Sequence, residues 1–253
     1  MNRRNPSQPG RSSAAGQRGL DDIPIARRTA TPEMTTNPWL LRLSIGSACA
    51  LLVVALLLVL RPRFLARILG LPPVSGLDAR TSPDGRLLGH FPYGELAGAE
   101  LVSVAPGLAL QRDAASSLLA MQRDAAQSGV RLVVLSAFRP VSLQNEVFFG
   151  VKSERSQSAS ERAKVSAPPG FSEHSTGYAV DLGDGDDPAT NLAPSFDQTV
   201  AFAWLELHAA RYHFILSFPR DNRQGVSYEP WHWRFEGSAD ALKVFEPAQR
   251  LSR

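Results

Sequence analysis

A histidine and an aspartate that could bind one metal ion lie close together in the middle of the chain. His174 and Asp181 are seven positions apart in the segment Ser172-Glu-His-Ser-Thr-Gly-Tyr-Ala-Val-Asp181. Gly177, between them, allows a sharp turn before the strand that is predicted to carry Asp181. Both side chains can then reach one ion, and imidazole nitrogen and carboxylate oxygen are ordinary zinc ligands.

A second segment, Glu229-Pro-Trp-His232-Trp, supplies the remaining parts of such a site. With His232 as the third protein ligand, the fourth position of a tetrahedral ion stays open to water. Glu229 is then free to act as a base toward that water. Residues three apart in a strand face opposite sides, so we expect the kink at Pro230 to turn Glu229 toward the ion. The pattern predicts a catalytic zinc site.

The distribution of charge separates two parts of the chain. The 253 residues carry a net charge of +3, but residues 1–70 hold ten Arg and only three acidic residues. Residues 71–253 therefore carry a net charge of −4, with no basic excess to neutralise phosphates. This balance argues against nucleic-acid binding. The single cysteine, Cys49, excludes a disulfide within the chain and a cysteine-based zinc site.

The first 60 residues predict a disordered tail and a membrane anchor. Residues 1–38 are rich in Arg, Ser, Pro and Gly and have no hydrophobic period. Residues 39–60 include an uncharged apolar run, Leu43 to Leu60, long enough to cross a bilayer of about 30 Å. A core helix is rarely apolar on every face, and a signal peptide has a shorter apolar core of about 7–15 residues. We therefore favour an uncleaved anchor, with the arginine-rich tail in the cytoplasm.

The rest of the chain predicts a linker, residues 61–85, and one mixed domain, residues 86–250. Helices and strands are mixed without strict βαβ alternation, which favours an α+β fold with an antiparallel sheet and flanking helices, preceded by one transmembrane helix. Helices are predicted over 107–129, after Pro140, over 197–211 with Ser195 or Asp197 as cap, and at the C-terminal end. Strands are predicted over 131–136, 178–182, 214–218 and 231–235, with a polar loop over 150–170.

Three motifs in this domain resemble those of the VanY-type D-alanyl-D-alanine carboxypeptidases. The segment Ser172 to Asp181 resembles their SxHxxGxAxD motif. Glu229 to Phe235 resembles ExWHxRY, with Phe235 in place of Tyr. Ser136-Ala-Phe-Arg139 resembles S-G-Y-R and is followed at the usual distance by Gln144. The wider group of these proteins includes D,D-dipeptidases, some phage endolysins and the zinc site of hedgehog proteins.

The resemblance implies a role for each matched residue. Three side chains are implied to bind Zn²⁺, namely His174, Asp181 and His232. Glu229 is implied to be the general base and then the proton donor to the leaving amine, while Arg139 polarises the scissile carbonyl or stabilises the oxyanion. Ser172 and Gln144 are implied to hydrogen-bond the terminal carboxylate of the substrate, and Trp231 to line the pocket.

The implied activity is removal of the terminal D-Ala from peptidoglycan stem peptides that end in D-Ala-D-Ala. The anchor predicts a single-pass protein of the cytoplasmic (inner) membrane, with the catalytic domain in the periplasm or extracytoplasmic space. L,D-carboxypeptidase, D,D-dipeptidase and endopeptidase activities are alternatives that use the same chemistry. A non-catalytic zinc or peptidoglycan-binding module is a further alternative, although binding alone needs neither Glu229 nor Arg139. A serine D,D-peptidase is excluded, because none of the three lysines completes a Ser-x-x-Lys motif.

Overall fold

The computed structural model describes Val54 and residues 72–252 of the chain. All of these residues except Val54 lie in one compact unit, Leu57–Arg253. The predicted tail, the predicted membrane span apart from Val54, and residues 61–71 of the predicted linker lie outside the described residues. Among the residues that are described, no helix is both long enough and apolar enough to cross a membrane.

The described residues form an α+β domain with antiparallel strands and flanking helices, which confirms this part of the predicted fold class, while the preceding transmembrane helix stays a prediction. In chain order its strands are β1 (Leu101–Ala105), β2 (Leu108–Gln111), β3 (Leu132–Ser136), β4 (Ala179–Asp184), β5 (Phe214–Leu216) and β6 (His232–Phe235). Its helices are α1 (Arg112–Gln127), α2 (Val141–Glu154), α3 (Ala159–Ala163), α4 (Val200–His208) and α5 (Ala239–Ser252). Strands β1 and β2 form a hairpin, and the other four form one antiparallel sheet in the order β3-β4-β6-β5.

The main hydrophobic core joins one face of this sheet to helices α1, α4 and α5. On β4, Val180 and Leu182 are fully buried in that core. Because side chains alternate along a strand, Asp181 between them points to the opposite face. Helix α1 adds Leu118 and Met121, which are three positions apart and so share one helical face. The core therefore fixes which face of β4 carries the candidate ligand.

A smaller hydrophobic cluster supports the helices α2 and α3. Its buried members are Val74, Leu77, Leu87, Phe148, Ala163 and Phe171. Val74 and Leu77 lie in the described part of the segment predicted as a linker, and they pack here against the domain. The cluster matters for the site because α2 and α3 carry one wall of the cavity described below.

The predicted helix over 107–129 begins later than its hydrophobic period indicates. Residues Leu108–Gln111 pair with β1 instead, and the helix starts at Arg112. The Gln111 side chain marks this start, because its Oε1 accepts hydrogen bonds from the backbone N–H groups of Asp113 and Ala114 at 2.6 and 3.4 Å. The tight hairpin therefore overrides the helical pattern of the first four residues.

Two further predicted boundaries are wrong. The polar segment 150–170, predicted as a loop, continues α2 and then contains α3, which Ser158 and Glu161 stabilise as a capping box. The helix predicted over 197–211 is shorter, because Pro194–Gln198 forms a separate 3-10 turn. Its cap is Thr199, whose hydroxyl accepts from the N–H of Phe202, and neither Ser195 nor Asp197.

Gly177 makes the turn that the sequence predicts between His174 and Asp181. Its φ of 73° lies in the left-handed region, directly after the 3-10 turn Glu173–Thr176. A Cβ at this position would lie 2.6 Å from Cδ2 of Leu96. Glycine alone satisfies both the backbone angle and the close packing, so the chain can reverse between the two candidate ligands.

Candidate active site

One row across the sheet brings together residues from three separate segments. In the antiparallel register, Asp181 of β4 lies opposite Ser136 of β3 and opposite His232 of β6. Cross-strand partners have Cβ atoms about 4.5–5.5 Å apart, so their side chains can bond directly. Accordingly, Nδ1 of His232 lies 3.0 Å from Oδ1 of Asp181, although 51 residues separate them in sequence.

His174 reaches the same point from the 3-10 turn that precedes β4. Its Nδ1 donates to the carbonyl oxygen of Ala137 at 2.7 Å, and its Nε2 is then an acceptor 3.2 Å from Oδ2 of Asp181. Two acceptors that face each other need a proton or a cation between them. Burial lowers the pKa of His174, although Asp181 opposes the shift, so a proton is disfavoured there. A metal cation fits this position.

The donor set suits zinc. Three buried residues, His174, Asp181 and His232, each offer one possible ligand atom, and these atoms lie within 4.8 Å of one another. Two imidazole nitrogens and one carboxylate oxygen match the chemistry of a catalytic zinc site with an open fourth position. The structure therefore brings together the three residues that the sequence predicts as metal ligands.

The pKa values of the two cross-strand partners follow from their contacts. Burial alone raises the pKa of Asp181, but His174 and His232 bring it well below its usual range. Burial lowers the pKa of His232, yet its bonds to Asp181 and Glu173 raise it to about 10. A metal ion on Nδ1 of His232 must displace the proton there, so metal affinity rises with pH.

Glu229 lies beside this group without joining it. A turn closed by the N–H of His232, which donates to the carbonyl of Glu229 at 3.1 Å, precedes β6. It places Oε2 of Glu229 at 3.9 Å from Nδ1 of His232, too far for a hydrogen bond. Burial raises the pKa of Glu229 to about 8, with His232 and Arg139 opposing the shift and Asp181 and Glu173 adding to it. A carboxyl group with such a pKa can both take and return a proton near neutral pH.

Arg139 is held at the edge of the site by two side chains. Its Nη2 donates to Oγ of Ser136 and its Nη1 to Oε1 of Gln144, both at 2.8 Å. Nη2 also lies 3.9 Å from Oδ2 of Asp181. The backbone N–H of Arg139 donates to the carbonyl of His174 at 3.2 Å, which joins the arginine loop to the ligand turn. The guanidinium group is thus fixed beside the candidate metal site.

Three residues are predicted to bind substrate, namely Ser172, Gln144 and Trp231. They line one cavity of about 540 Å³, which the candidate metal ligands line as well. The Gln144 side chain is fully buried and already bonded. Its Nε2 donates to the carbonyl of Ala167 at 2.6 Å and to Oγ of Ser166 at 3.3 Å, while Oε1 accepts from Arg139. These contacts orient Arg139 and use both amide hydrogens, and a contact between Gln144 and a substrate carboxylate stays a prediction.

Glu173, which the sequence pattern does not single out, contacts His232 on the side of the ring that faces away from Asp181. Its Oε2 accepts from Nε2 of His232 at 3.0 Å and from Oγ of Ser217 at 2.6 Å, and its Oε1 accepts from Nη1 of Arg234 at 3.2 Å. Burial raises the pKa of Glu173, but Arg234, His232 and Ser217 lower it to about 2. A carboxylate bonded to the far nitrogen of a ligating histidine fixes the ring and raises its basicity. Its position next to His174 is the only signal in the sequence.

Family comparison adds to this geometry. Residues 107–238 match the VanY family, described as D-alanyl-D-alanine carboxypeptidase. The chain belongs to this family. The match confirms the resemblance predicted from the three motifs, and its range includes Arg139, Asp181 and His232.

Two curated proteins are similar to part of this chain. The YodJ protein of Bacillus subtilis (strain 168) is 32% identical over 141 residues, which cover 54% of this chain and 50% of YodJ. The D-alanyl-D-alanine carboxypeptidase of Enterococcus faecalis (strain ATCC 700802 / V583) is 34% identical over 127 residues, 46% of this chain and 44% of that protein. The chain therefore spans about half the length of these curated relatives.

Solved structures share the fold. The LD-carboxypeptidase LdcB matches with a TM-score of 0.52 and 26% identity, over 64% of this chain and 79% of that one. A mutant vancomycin resistance D,D-pentapeptidase VanY from a VanB-type cassette, in complex with Zn(II), matches with a TM-score of 0.50 and 23% identity, over 64% and 94%. At that identity the second likeness shows the fold alone.

We expect Glu173→Gln to weaken Zn²⁺ binding by about 10- to 100-fold, because a neutral amide no longer raises the basicity of His232. Competition with a chromophoric chelator would measure the affinity. Glu236→Gln is the matched control, since Oε1 of Glu236 also accepts from buried Arg234, at 2.7 Å. Equal losses of Zn²⁺ affinity in the two variants would show that Glu173 acts through Arg234 and not through His232.

We expect Glu229→Gln to stabilise the protein at alkaline pH when EDTA removes metal ions. The folded-state pKa of Glu229, about 8, lies above its ordinary value of 4.5, so folding favours the protonated carboxyl. That contribution to stability is complete below the unfolded pKa and is lost as pH rises through about 8. Glutamine mimics the protonated group at every pH. The Tm difference in favour of the variant should therefore grow from about pH 5 to about pH 8.5.

Thermal unfolding at several pH values checks this expectation, and each kcal/mol moves Tm by about 2–4 °C in a protein of this size. Glu146→Gln, on the exposed side of α2, removes one carboxylate as well and controls for the change in net charge. The raised pKa of Glu229 is contradicted if the Tm difference for Glu229→Gln stays constant across this pH range, or if Glu146→Gln shows the same pH-dependent difference.

Proposed function

We propose that the protein is a zinc-dependent D-alanyl-D-alanine carboxypeptidase that removes the terminal D-Ala from peptidoglycan stem peptides ending in D-Ala-D-Ala. One observation carries this proposal. A carboxyl group outside the ligand set, that of Glu229, lies 3.9 Å from a ligand atom of the buried group His174, Asp181 and His232. Membership in the VanY family supports the reaction, and the name of the Enterococcus faecalis relative supports the substrate.

His174, Asp181 and His232 would hold the Zn²⁺ ion. When bound, zinc supplies Lewis acidity that polarises a carbonyl group and lowers the pKa of water. Glu229 takes a proton from the attacking water and gives it to the leaving amine of D-Ala. Burial raises the pKa of Glu229 above its ordinary value, which favours both the uptake and the return of a proton near neutral pH.

Arg139 stabilises the negative charge that develops on the scissile carbonyl oxygen. Each terminal nitrogen of a guanidinium carries two hydrogens, and the bonds to Ser136 and Gln144 use one hydrogen on each nitrogen. One N–H on each nitrogen therefore stays available to a substrate oxygen. A fixed donor of this kind commonly contributes about 2.7–4 kcal/mol to transition-state stabilisation.

L,D-carboxypeptidase activity, which shortens a tetrapeptide to a tripeptide, is the second candidate. Its support is the likeness to LdcB, which is described as an LD-carboxypeptidase. The two activities use the same proton transfers and differ in the residue on the amino side of the scissile bond. Mass spectrometry of products from defined tetrapeptides and pentapeptides separates them.

We also propose that residues 39–60 anchor the enzyme in the cytoplasmic membrane, with residues 86–250 in the periplasm or extracytoplasmic space. The uncharged run Leu43 to Leu60 supports the anchor. We expect the full chain to stay in the membrane fraction after an alkaline carbonate wash, and a chain that begins at residue 72 to be released. Release of the full chain by carbonate would contradict the anchor.

The central test is release of D-Ala from a defined stem pentapeptide. We expect the Zn²⁺-loaded wild type to release D-Ala, a chelator to stop the reaction, and β-lactams to have little effect. Glu229→Gln should lower kcat by about 100- to 10,000-fold while it retains Zn²⁺, because it removes the general base. Absence of D-Ala release from every stem peptide, or unchanged turnover by Glu229→Gln, would refute the proposal.

A further inference from the structure

One wall of the cavity carries a buried arginine whose positive charge is not balanced by a carboxylate of the described residues. Arg162, on α3, is 6% exposed and lines the cavity. Its Nη2 donates to the carbonyl of Val147 at 3.3 Å, while its Nε is buried and no described atom accepts its hydrogen bond. Burial and the nearby positive charges of Arg155 and Arg139 lower the pKa of Arg162. Among the described residues, none supplies a carboxylate partner to this side chain.

Such an arginine is unfavourable for folding by itself. A buried charge costs free energy unless it is paired and hydrogen-bonded, and an apolar side chain of similar volume is often at least as stable. The cluster beside Arg162, which includes Phe148 and Ala163, would accommodate an apolar side chain. The position therefore favours an anion from outside the protein as the missing partner.

Contacts with α2 place Arg162 in the same part of the cavity as Arg139. Gln144 accepts from Arg139, and Val147, three residues further along the helix, accepts from Arg162. The two arginines are close enough for the positive charge of Arg139 to lower the pKa of Arg162, and both line the cavity. One peptide substrate in this cavity can therefore reach both side chains. Gln144 uses its own amide hydrogens within the protein, whereas the buried Nε–H of Arg162 stays available to a substrate oxygen.

We propose that Arg162 binds a carboxylate of the peptide substrate, namely the C-terminal carboxylate beyond the scissile bond. The inference rests on the proposed function and deepens it, because a carboxylate subsite restricts cleavage to the end of the peptide. A planar guanidinium is suited to a carboxylate, since the two can form parallel hydrogen bonds. Carboxylates on side branches of a stem peptide offer the same chemistry, so the experiment has a separate arm for them.

The experiment compares three stem pentapeptides with the Zn²⁺-loaded full chain. The first has a free C-terminal carboxylate, the second a C-terminal carboxamide, and the third a free C-terminus with amidated side-branch carboxylates. We expect Arg162→Met to lower kcat/KM for the first peptide by about 10- to 100-fold, the range for a lost hydrogen bond to a charged group. Its kcat/KM for the carboxamide should stay close to that of the wild type. The discrimination, which is the ratio of kcat/KM for the free peptide to kcat/KM for the carboxamide, therefore falls by the same factor.

Two further variants separate this subsite from a general effect of charge or packing. Arg155→Gln removes a positive charge from an exposed position in the same cavity and should leave the discrimination within a few-fold of the wild type. Arg162→Lys keeps the charge without the planar fork and should give an intermediate discrimination, which also serves if Arg162→Met fails to fold. The Tm of Arg162→Met should equal or exceed that of the wild type, because no internal ion pair is lost.

Each outcome decides the proposal. The proposal is overturned if Arg162→Met still prefers the free peptide over both amidated peptides, in kcat/KM, by the same factors as the wild type. It is also overturned if Arg155→Gln loses this preference to the same extent as Arg162→Met. Loss of discrimination only in the side-branch arm supports the carboxylate site and makes the side branch its source. If the wild type cleaves none of the peptides, the proposed function fails by that result alone. The ratio of Kd values for the free and carboxamide peptides, in wild type and Arg162→Met, then tests the subsite.

Discussion

The register between β4 and β6 is the constraint on which the rest of the site depends. It sets Asp181 beside His232, and the register between β3 and β4 sets Asp181 beside Ser136, which in turn holds Arg139. A slip of one residue would turn Asp181 into the hydrophobic core and expose Val180 or Leu182 to the cavity. The free energy of burying these apolar side chains therefore keeps the carboxylate in place. Core packing and metal-site geometry are two consequences of one strand pairing.

Three carboxylates share the cavity, but their surroundings divide them by role. Glu173 accepts bonds from His232, Ser217 and Arg234, which keep it ionised despite its burial. Asp181 is kept ionised in the same way by two histidines. Glu229 is also buried, but its nearest ligand nitrogen is 3.9 Å away, so burial prevails and its pKa rises. Carboxyl groups whose pKa values are pushed apart in one site separate the charged framework from the group that exchanges protons.

The sequence predicts the parts of this arrangement that depend on local chemistry. The types and spacing of His174, Asp181 and His232 predict a group of candidate metal ligands, which the structure brings together, and the turn at Gly177 follows from one residue. Glu173 could not be predicted in the same way, because its partner His232 lies 59 residues away and only strand pairing brings them together. For Gln144 the sequence predicts a contact with substrate, which stays a prediction; the contact of its amide with the carbonyl of Ala167 depends on packing and has no signal in the sequence.

Local patterns also failed where two structures suit the same residues. The run after Gly107 has a helical period, but its first residues, Leu108–Gln111, can complete a hairpin with Leu101–Ala105, and that pairing prevails. The polar segment 150–170 has the composition of a loop, yet a capping box begins α3 there and brings Arg162 into the cavity wall.

The arginines near the candidate metal site and the arginine that α3 brings into the cavity wall, Arg162, differ in their partners. At the candidate metal site, Arg139 lies beside Asp181, and Arg234 pairs with Glu173 and Glu236. Arg162 has no such carboxylate among the described residues, although only 6% of its surface is exposed. A fold selected only for stability would replace it by an apolar side chain. Its presence in the wall, bonded to the carbonyl of Val147 on the helix that also carries Gln144, is best explained by a substrate that brings the missing negative charge.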